Sequence, residues 1–162
     1  MPENAALVED QLRRALGDGL LTAVPMRLHT TLRIGGPADF FFTARAPERL
    51  ADALRAGHAL GLPVHLVGGG SNLLVSDAGL RGLVIRNACE KVEFDGPVVR
   101  AGAGADFLEL IQACRERSLA GLAFAAGIPG TVGGAVYGNA GCYGLDIGSL
   151  VVDCTHVTPD GA

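Results

Sequence analysis

The sequence predicts an α+β fold built from two lobes, and two observations support this prediction. In the first half, a strand–helix–strand pattern is typical of parallel strands joined by a crossover helix. After Asn87, short strands separated by a tight turn replace that pattern and predict an antiparallel hairpin. We therefore divide the chain into a helix and lead-in at 1–28, a first lobe at 29–86 and a second lobe at 87–162.

The first half carries clear signals for the ends of its helices. Residues 4–16 place apolar side chains at helical spacing, and Gly17 should end that helix. Pro47 suits the first turn of a second helix, and Gly61 suits the position after its last turn. Apolar runs predict strands at 40–44, 63–67 and 80–87, and 71–75 is strand-like.

Turn and capping signals define the elements of the second half. The turn at 95–97 predicts a hairpin. Asp106, followed three residues later by Glu109, is a capping signal for a helix whose apolar face includes Cys114. Residues 149–158 are expected to form a last strand that ends in a turn.

Composition narrows the class of protein. Apolar residues make up 49% of the chain and charged residues 19%, which favours a packed core over disorder. The net charge of −4, without a run of Lys or Arg, argues against a nucleic-acid-binding surface. No apolar run reaches the ~18 residues that a membrane span needs, and the acidic N-terminus is unlike a signal peptide. We expect a cytoplasmic protein that binds neither nucleic acid nor membrane.

The spacing of the cysteines indicates a reducing compartment. The chain has 4 Cys and none of them forms a CxxC pair. Without a secretion signal, this favours thiols over disulfides. Zinc binding is the alternative, but we assign no metal ligand.

Two glycine-rich loops are the strongest signals for a ligand. The first, 67–72, follows a predicted parallel strand, where α/β folds place ligands. The second lies in the uncharged stretch 124–144, where Pro129 suits a helix start. The N–H groups of 130–132 would then face outward at a positive helix end and bind an anion such as a diphosphate. A loop kept only for packing is the alternative for each, but the pair favours a ligand.

Two known nucleotide-binding patterns do not fit these loops. The first loop is not followed by a helix, as a Rossmann fingerprint requires, and it lacks the Gly-Lys-Ser/Thr of a Walker motif. GAGAD at 102–106 reads as a strand end and a helix cap. Arg33 could contact a phosphate or could be a solvated residue, and His29 reads as a structural histidine.

Three motifs, in this order, resemble the family of UDP-N-acetylenolpyruvoylglucosamine reductases, the MurB flavoenzymes of peptidoglycan synthesis. They are HTTLRIGGPADF at 29–40, VGGGSNLLVSDAGLRGLVI at 67–85 and AGLAFAAGIPGTVGGAVYGNAGCYG at 120–144. The third motif resembles the branch of the family that lacks an extra substrate-closing loop. Gly138 departs from the family, which usually has a larger side chain at this position.

The resemblance implies a two-lobed FAD-binding module of the PCMH/VAO type, C-terminally truncated and without the substrate domain. FAD would be bound non-covalently between the lobes, its diphosphate on the first loop. The cofactor-binding residues that we assign are Arg33, Val67, Gly68, Gly69, Gly70, Ser71, Asn72, Leu73, Gly127, Ile128, Pro129, Gly130, Thr131, Gly133, Gly134, Asn139 and Gly141.

The activity that the resemblance implies is NADPH-dependent reduction of UDP-N-acetylenolpyruvoylglucosamine to UDP-N-acetylmuramate. The family's catalytic Arg, Ser and Glu lie downstream of positions like Gly161, so we assign no catalytic residue to this chain. We expect the UDP-sugar to need the missing domain, and the chain alone to be inactive. The alternatives are a stand-alone flavin-binding module and an FAD oxidase of the same broad fold.

Overall fold

The computed structural model describes residues 5–161, which form two compact units. The first unit comprises the described residues up to Ala88 together with 156–161. The second unit comprises Cys89–Thr155. Each unit has hydrophobic clusters made of its own side chains.

The first unit contains a four-stranded sheet. Its elements are α1 (Ala5–Leu16), β1 (Leu21–Pro25), β2 (Pro37–Ala44), α2 (Pro47–Ala59), β3 (Val64–Val67) and β4 (Leu80–Asn87). The strands stand in the order β1-β2-β4-β3, so the crossover helix α2 joins two parallel strands that have β4 between them. The helices and the strands predicted at 40–44, 63–67 and 80–87 are confirmed; residue 4 of the first predicted helix lies outside the described residues.

Both faces of the central strands are buried, which explains their continuous apolar runs. Phe40 and Phe42 of β2 lie in a cluster with Leu12 and Leu16 of α1. Phe41, between them, lies in a separate cluster that includes Met26, Val67, Val75 and Val84. Alternate residues of a strand point to opposite faces of its sheet, so the sheet separates two apolar layers.

The segment 68–79 is an irregular loop, and the strand-like interpretation of 71–75 is wrong. Its backbone bonds to the segment before β2 and not to a strand: Thr31 N–H donates to Gly70 O (3.1 Å) and Gly36 N–H to Ser76 O (2.9 Å). The two backbones are so close that a Cβ on Gly36 would lie 1.9 Å from Asp77 O. The GGP sequence at 35–37, a turn signal in the sequence, forms no turn in the structure and is instead a close contact between two backbones.

Asp39 is a buried carboxylate whose partners are all structural. Its Oδ1 pairs with Arg81 Nη1 at 2.6 Å, and its Oδ2 accepts from Gly82 N–H at 3.1 Å. Gly82 has φ +92°, and a Cβ there would lie 2.1 Å from Pro63 O. This network fixes β4 between its two neighbours.

The second unit contains two hairpins and two helices. Its elements are β5 (Val92–Asp95), β6 (Val98–Ala101), α3 (Phe107–Glu116), α4 (Val132–Tyr137), β7 (Gly141–Cys142) and β8 (Leu145–Asp146). Asp106 caps α3 as predicted, because its side chain accepts from Glu109 N–H at 3.0 Å. Cys114 lies in the core as predicted, and burial raises the pKa of its thiol although Arg117 opposes the shift.

The strand predicted at 149–158 is wrong. A short 3-10 helix covers Ile147–Ser149, and the backbone from 150 to 158 is irregular. The predicted turn follows, with Gly161 N–H donating to Thr158 O at 2.8 Å. Its far end packs on α2, because Arg55 Nη1 donates to Gly161 O at 2.6 Å. Residues 156–161, placed in the second lobe from sequence, therefore pack within the first unit.

Two further observations concern residues 5–161 alone. No helix in this range is both long and apolar enough to cross a membrane. Within the same range, no two cysteines are joined by a disulfide and no cluster of His, Cys, Asp and Glu has the make-up of a metal site.

Candidate functional site

A polar cavity of about 160 Å³ opens in the first unit at the carboxyl ends of β3 and β4. Val67 at the end of β3 is paired in register with Arg86 on β4. The loop that follows β3 and the segment after β1 complete the walls. The lining residues are Leu28, His29, Thr30, Thr31, Gly68, Gly69 and Arg86.

Gly70 sets the shape of the loop beside this cavity. Its φ is +70°, which side chains rarely adopt, and a Cβ there would lie 2.1 Å from His29 O. The Gly70 carbonyl also accepts the hydrogen bond from Thr31 N–H. Gly70 thus brings two lining segments into contact, and glycine is the residue that this approach allows.

The cavity offers hydrogen-bond donors and one unpaired positive charge. Across residues 5–161, the N–H groups of Gly68 and Gly69, which line the cavity, donate to no other group, and neither does that of Asn72, which lies further along the same loop. Arg86 likewise makes no ion pair or side-chain hydrogen bond with any residue that the structure describes. Backbone donors next to an unpaired guanidinium form a site for an anion, and phosphate oxygens match both.

Thr30 holds the wall opposite the loop in place. Its side chain is buried, and Oγ1 both donates to Ile34 O (2.8 Å) and accepts from Ile34 N–H (3.2 Å). These two hydrogen bonds to the backbone of Ile34 close the turn at 30–34. Thr30 therefore positions the segment, while the exposed Thr31 keeps its hydroxyl available.

His29, expected from sequence to be structural, packs against the core and also lines the cavity. Its ring is half-buried and stacks on Phe41, with ring centroids 4.3 Å apart and planes inclined by 28°. Burial, and then the charge of Arg86, lower the pKa of His29 below its ordinary 6.5. The imidazole is therefore held in its neutral form at neutral pH beside the anion donors.

The predicted residues of the first unit fall into two groups: those of the glycine-rich loop beside the cavity, and Arg33, which lies outside it. Gly68 and Gly69 line the cavity, and the rest of the predicted stretch 67–73 belongs to the same loop or its strand end. Arg33 does not line it: this exposed residue has φ +54°, and its N–H donates to Thr30 O at 3.0 Å. The role predicted for Arg33 stays a prediction.

In the second unit, the helix predicted to start at Pro129 starts at Val132. Thr131 is its N-cap, with Oγ1 accepting from Gly134 N–H at 3.3 Å. The free N–H predicted for Val132 is wrong, because it donates to Ala105 O at 2.9 Å. Gly133 N–H donates to Ala103 O at 2.8 Å. The carbonyl groups of the GAGAD loop thus accept hydrogen bonds from the N–H groups at this helix end. This agrees with the prediction that the loop is a strand end and a helix cap.

The other assigned residues of the second unit hold its glycine-rich stretch together. Gly130 O accepts from Phe107 N–H at 2.9 Å, and Ile128 N–H donates to Ala125 O at 2.9 Å. Asn139 Oδ1 accepts from Gly148 N–H at 3.0 Å. A Cβ on Gly141 would lie 2.7 Å from Leu145 O. These contacts hold the stretch together, and its cofactor contacts stay predictions.

Sequence reasoning missed Arg86, the residue that gives the cavity its charge. In the sequence, Arg86 lies inside a predicted strand and has nothing to distinguish it from an ordinary surface arginine. The available signal was topological: carboxyl ends of parallel strands meet at one edge of a sheet. An arginine at the end of the strand after 63–67 would therefore lie next to the glycine loop.

The cavity fits a diphosphate group and is too small for a whole dinucleotide. It has room for several water molecules, but pockets that enclose drug-sized ligands measure roughly 300–1,000 Å³. The donors and Arg86 fit the two phosphates of FAD, and the ring systems of FAD would need contacts outside this cavity.

Comparison with known proteins confirms the resemblance. The chain is 43% identical over 141 residues to UDP-N-acetylenolpyruvoylglucosamine reductase 2 of Symbiobacterium thermophilum, covering 86% of this chain and 46% of the relative. The solved structure of UDP-N-acetylenolpyruvylglucosamine reductase (MurB) from Thermus caldophilus matches with a TM-score of 0.64 and 38% identity, covering 76% of this chain and 44% of that one. The chain thus spans about half the length of the curated relatives it matches.

A more distant likeness bears on the fold alone. P-cresol methylhydroxylase matches with a TM-score of 0.50 at 18% identity, over 74% of this chain and 26% of that one. The predicted α+β fold of the PCMH/VAO type is therefore confirmed. The family model of the FAD binding domain matches residues 38–162. Since that match covers most of its length, the chain belongs to the FAD binding domain family.

Proposed function

We propose that this chain binds FAD and that the cavity of the first unit receives its diphosphate. The observation that carries the proposal is the unpaired Arg86 guanidinium beside the unbonded N–H groups of Gly68 and Gly69. Family membership supports FAD as the cofactor. Of the stretch 67–73 and Arg33, we assign the closest contacts to Gly68 and Gly69, which line the cavity and whose N–H groups are available.

We propose further that the chain is the FAD-binding portion of a cytoplasmic, NADPH-dependent reductase that converts UDP-N-acetylenolpyruvoylglucosamine to UDP-N-acetylmuramate. The names of its relatives support this reaction. When bound, FAD would supply the hydride-carrying group of that reaction. The alternative of an FAD oxidase rests on likeness of fold, which does not determine function.

The residues of this chain would bind and orient the cofactor. Arg86 would neutralise phosphate charge, and the loop N–H groups would fix the phosphate oxygens. The pair of bonds from Thr30 to Ile34 would keep the facing wall rigid. In the second unit, the assigned residues from Gly127 to Gly141 are proposed to contact the rest of FAD.

We expect the purified chain to bind FAD about 10- to 150-fold more tightly than FMN. The second phosphate of FAD can add a hydrogen bond to a charged group, which contributes about 1.5–3 kcal/mol. Flavin fluorescence quenching would give both dissociation constants. Acid precipitation of the protein should leave the yellow flavin in the supernatant, since FAD is expected to bind non-covalently. Equal affinity for FMN would contradict the diphosphate assignment.

We expect the FAD-loaded chain to show no oxidation of NADPH that depends on the enolpyruvyl UDP-sugar. None of its residues is assigned to catalysis, and electrostatic and proton-transfer groups account for much of an enzyme's rate. NADPH absorbance with and without the UDP-sugar would test this, using a full-length relative as the active control. Sustained turnover by the chain would show that it contains the catalytic groups.

A further inference from the structure

His29 lines the anion cavity in an arrangement that suits a change of charge. Its ring stacks on Phe41 at 4.3 Å, and Gly68, Gly69 and Arg86 line the same cavity. The face of an aromatic ring attracts a cation, so the stack on Phe41 tolerates the protonated imidazole. Histidine can switch between its charge states near neutral pH with small changes in its surroundings.

The surroundings of His29 differ in charge with and without an anion. Arg86 on β4 is the charged group that acts on the ring; Phe41 on β2, the glycines of the loop and Thr30 and Thr31 on its own segment carry no ionisable charge. Without an anion, a proton on His29 places a second cation beside Arg86. With an anion present, the same proton completes the neutralisation of two phosphate charges.

We propose that His29 takes up a proton when the FAD diphosphate enters the cavity, so that the site gains its second positive charge only in the bound state. This inference rests on the proposed function and adds a linkage between cofactor binding and pH. His29 would then be a binding residue that donates a hydrogen bond to a phosphate oxygen.

The sign of the pH dependence follows from linkage. In the free chain, burial and then Arg86 lower the pKa of His29, and a bound anion raises it. Between these two pKa values, binding takes up a proton, so the affinity for FAD rises as pH falls. For the free chain, the neutral His29 contributes stability above its ordinary pKa of 6.5, and that stability is lost as pH falls through the lowered folded value.

Isothermal titration calorimetry of the chain with FAD tests the proposal directly. Binding enthalpies measured in several buffers of different ionisation enthalpy give the number of protons taken up. The FAD diphosphate itself does not titrate near neutral pH, so it adds no protons. We expect uptake approaching one proton per FAD, and binding that tightens by at most about tenfold per pH unit as pH falls from the bound toward the free pKa of His29.

Two variants locate the proton. His29→Gln should abolish the uptake and flatten the pH dependence, while His58→Gln, which removes an exposed histidine at the end of α2, should keep both. If His29→Gln does not fold, NMR of the wild-type imidazole signals provides the measurement, since the chain has 4 His. The pKa of His29 should rise when FAD binds.

The outcomes separate this inference from the proposed function. FAD binding without proton uptake, or with uptake unchanged in His29→Gln, overturns the role of His29 and leaves the diphosphate site intact. A His29 pKa that does not change when FAD binds would likewise overturn the role of His29 and leave the diphosphate site intact. A chain that does not bind FAD, or that binds FMN equally well, overturns the proposed function and this inference together.

Discussion

Gly70→Ala should abolish FAD binding and lower the free energy of unfolding by roughly 2–5 kcal/mol. The new Cβ would lie 2.1 Å from His29 O at a residue whose φ is +70°. The left-handed conformation costs an alanine about 1–2 kcal/mol, and forcing atoms into a packed region costs about 1–3 kcal/mol more. The three atoms nearest to this Cβ are backbone atoms of 29–30, so the clash can be relieved only by moving one wall of the cavity. Urea unfolding and FAD titration would measure the two effects.

Gly61→Ala is the matched control for this substitution. Gly61 lies in the same unit with φ +61°, but a Cβ there meets nothing within 4 Å. It should therefore show only the conformational cost of about 1–2 kcal/mol and bind FAD like the wild type. If Gly70→Ala binds FAD with wild-type affinity while folded, the diphosphate does not lie beside this loop.

Much of the fold was predictable because its signals are local. The triple phenylalanine of β2, the Pro47 start of α2 and the Asp106 cap of α3 each act through neighbouring residues. β1 was missed because it is short and largely exposed, so it lacks the continuous apolar run of the central strands. Its place is set by pairing with β2, which is a tertiary interaction.

The strand predicted at 149–158 is wrong for the opposite reason: the pattern is present but the strand is not. Its alternating apolar residues are typical of a strand, but an isolated alternation has no partner to pair with in this structure. Val152 is 88% exposed, so the apolar positions do not form a buried face. Periodicity predicts an element only when the fold supplies a surface for it to cover.

The candidate site was half predictable. Gly68 and Gly69 follow from the position of a glycine-rich loop after a parallel strand. Arg86 and His29 required the register that pairs Val67 with Arg86 and the backbone contact between Gly70 and His29. Conversely, the sequence predicted an anion site at the helix start at 129–132, but in the structure Val132 N–H already donates to Ala105 O. Sequence indicates donors, but the structure decides which of them are already used.

Arg86→Ala should weaken FAD binding by about 10- to 150-fold with little change in stability. Its guanidinium makes no ion pair or side-chain hydrogen bond with residues 5–161, so removing it breaks no such interaction within the fold. The lost interaction is a hydrogen bond between charged groups, which contributes about 1.5–3 kcal/mol. Arg86→Lys keeps the charge but loses the two-pronged geometry, so it should fall between the wild type and Arg86→Ala.

Arg14→Ala controls for the change in net charge. Arg14 is an exposed residue of α1 whose Nη2 pairs with Asp10 at 2.6 Å, and its loss should leave FAD affinity unchanged. Raising the salt concentration should narrow the gap between wild type and Arg86→Ala, because ions screen an exposed charge. Fluorescence titrations of the three Arg variants at two ionic strengths would measure both trends. If Arg86→Ala and Arg14→Ala bind FAD equally well, the cation of the diphosphate site is another residue, and Arg33 becomes the first to test.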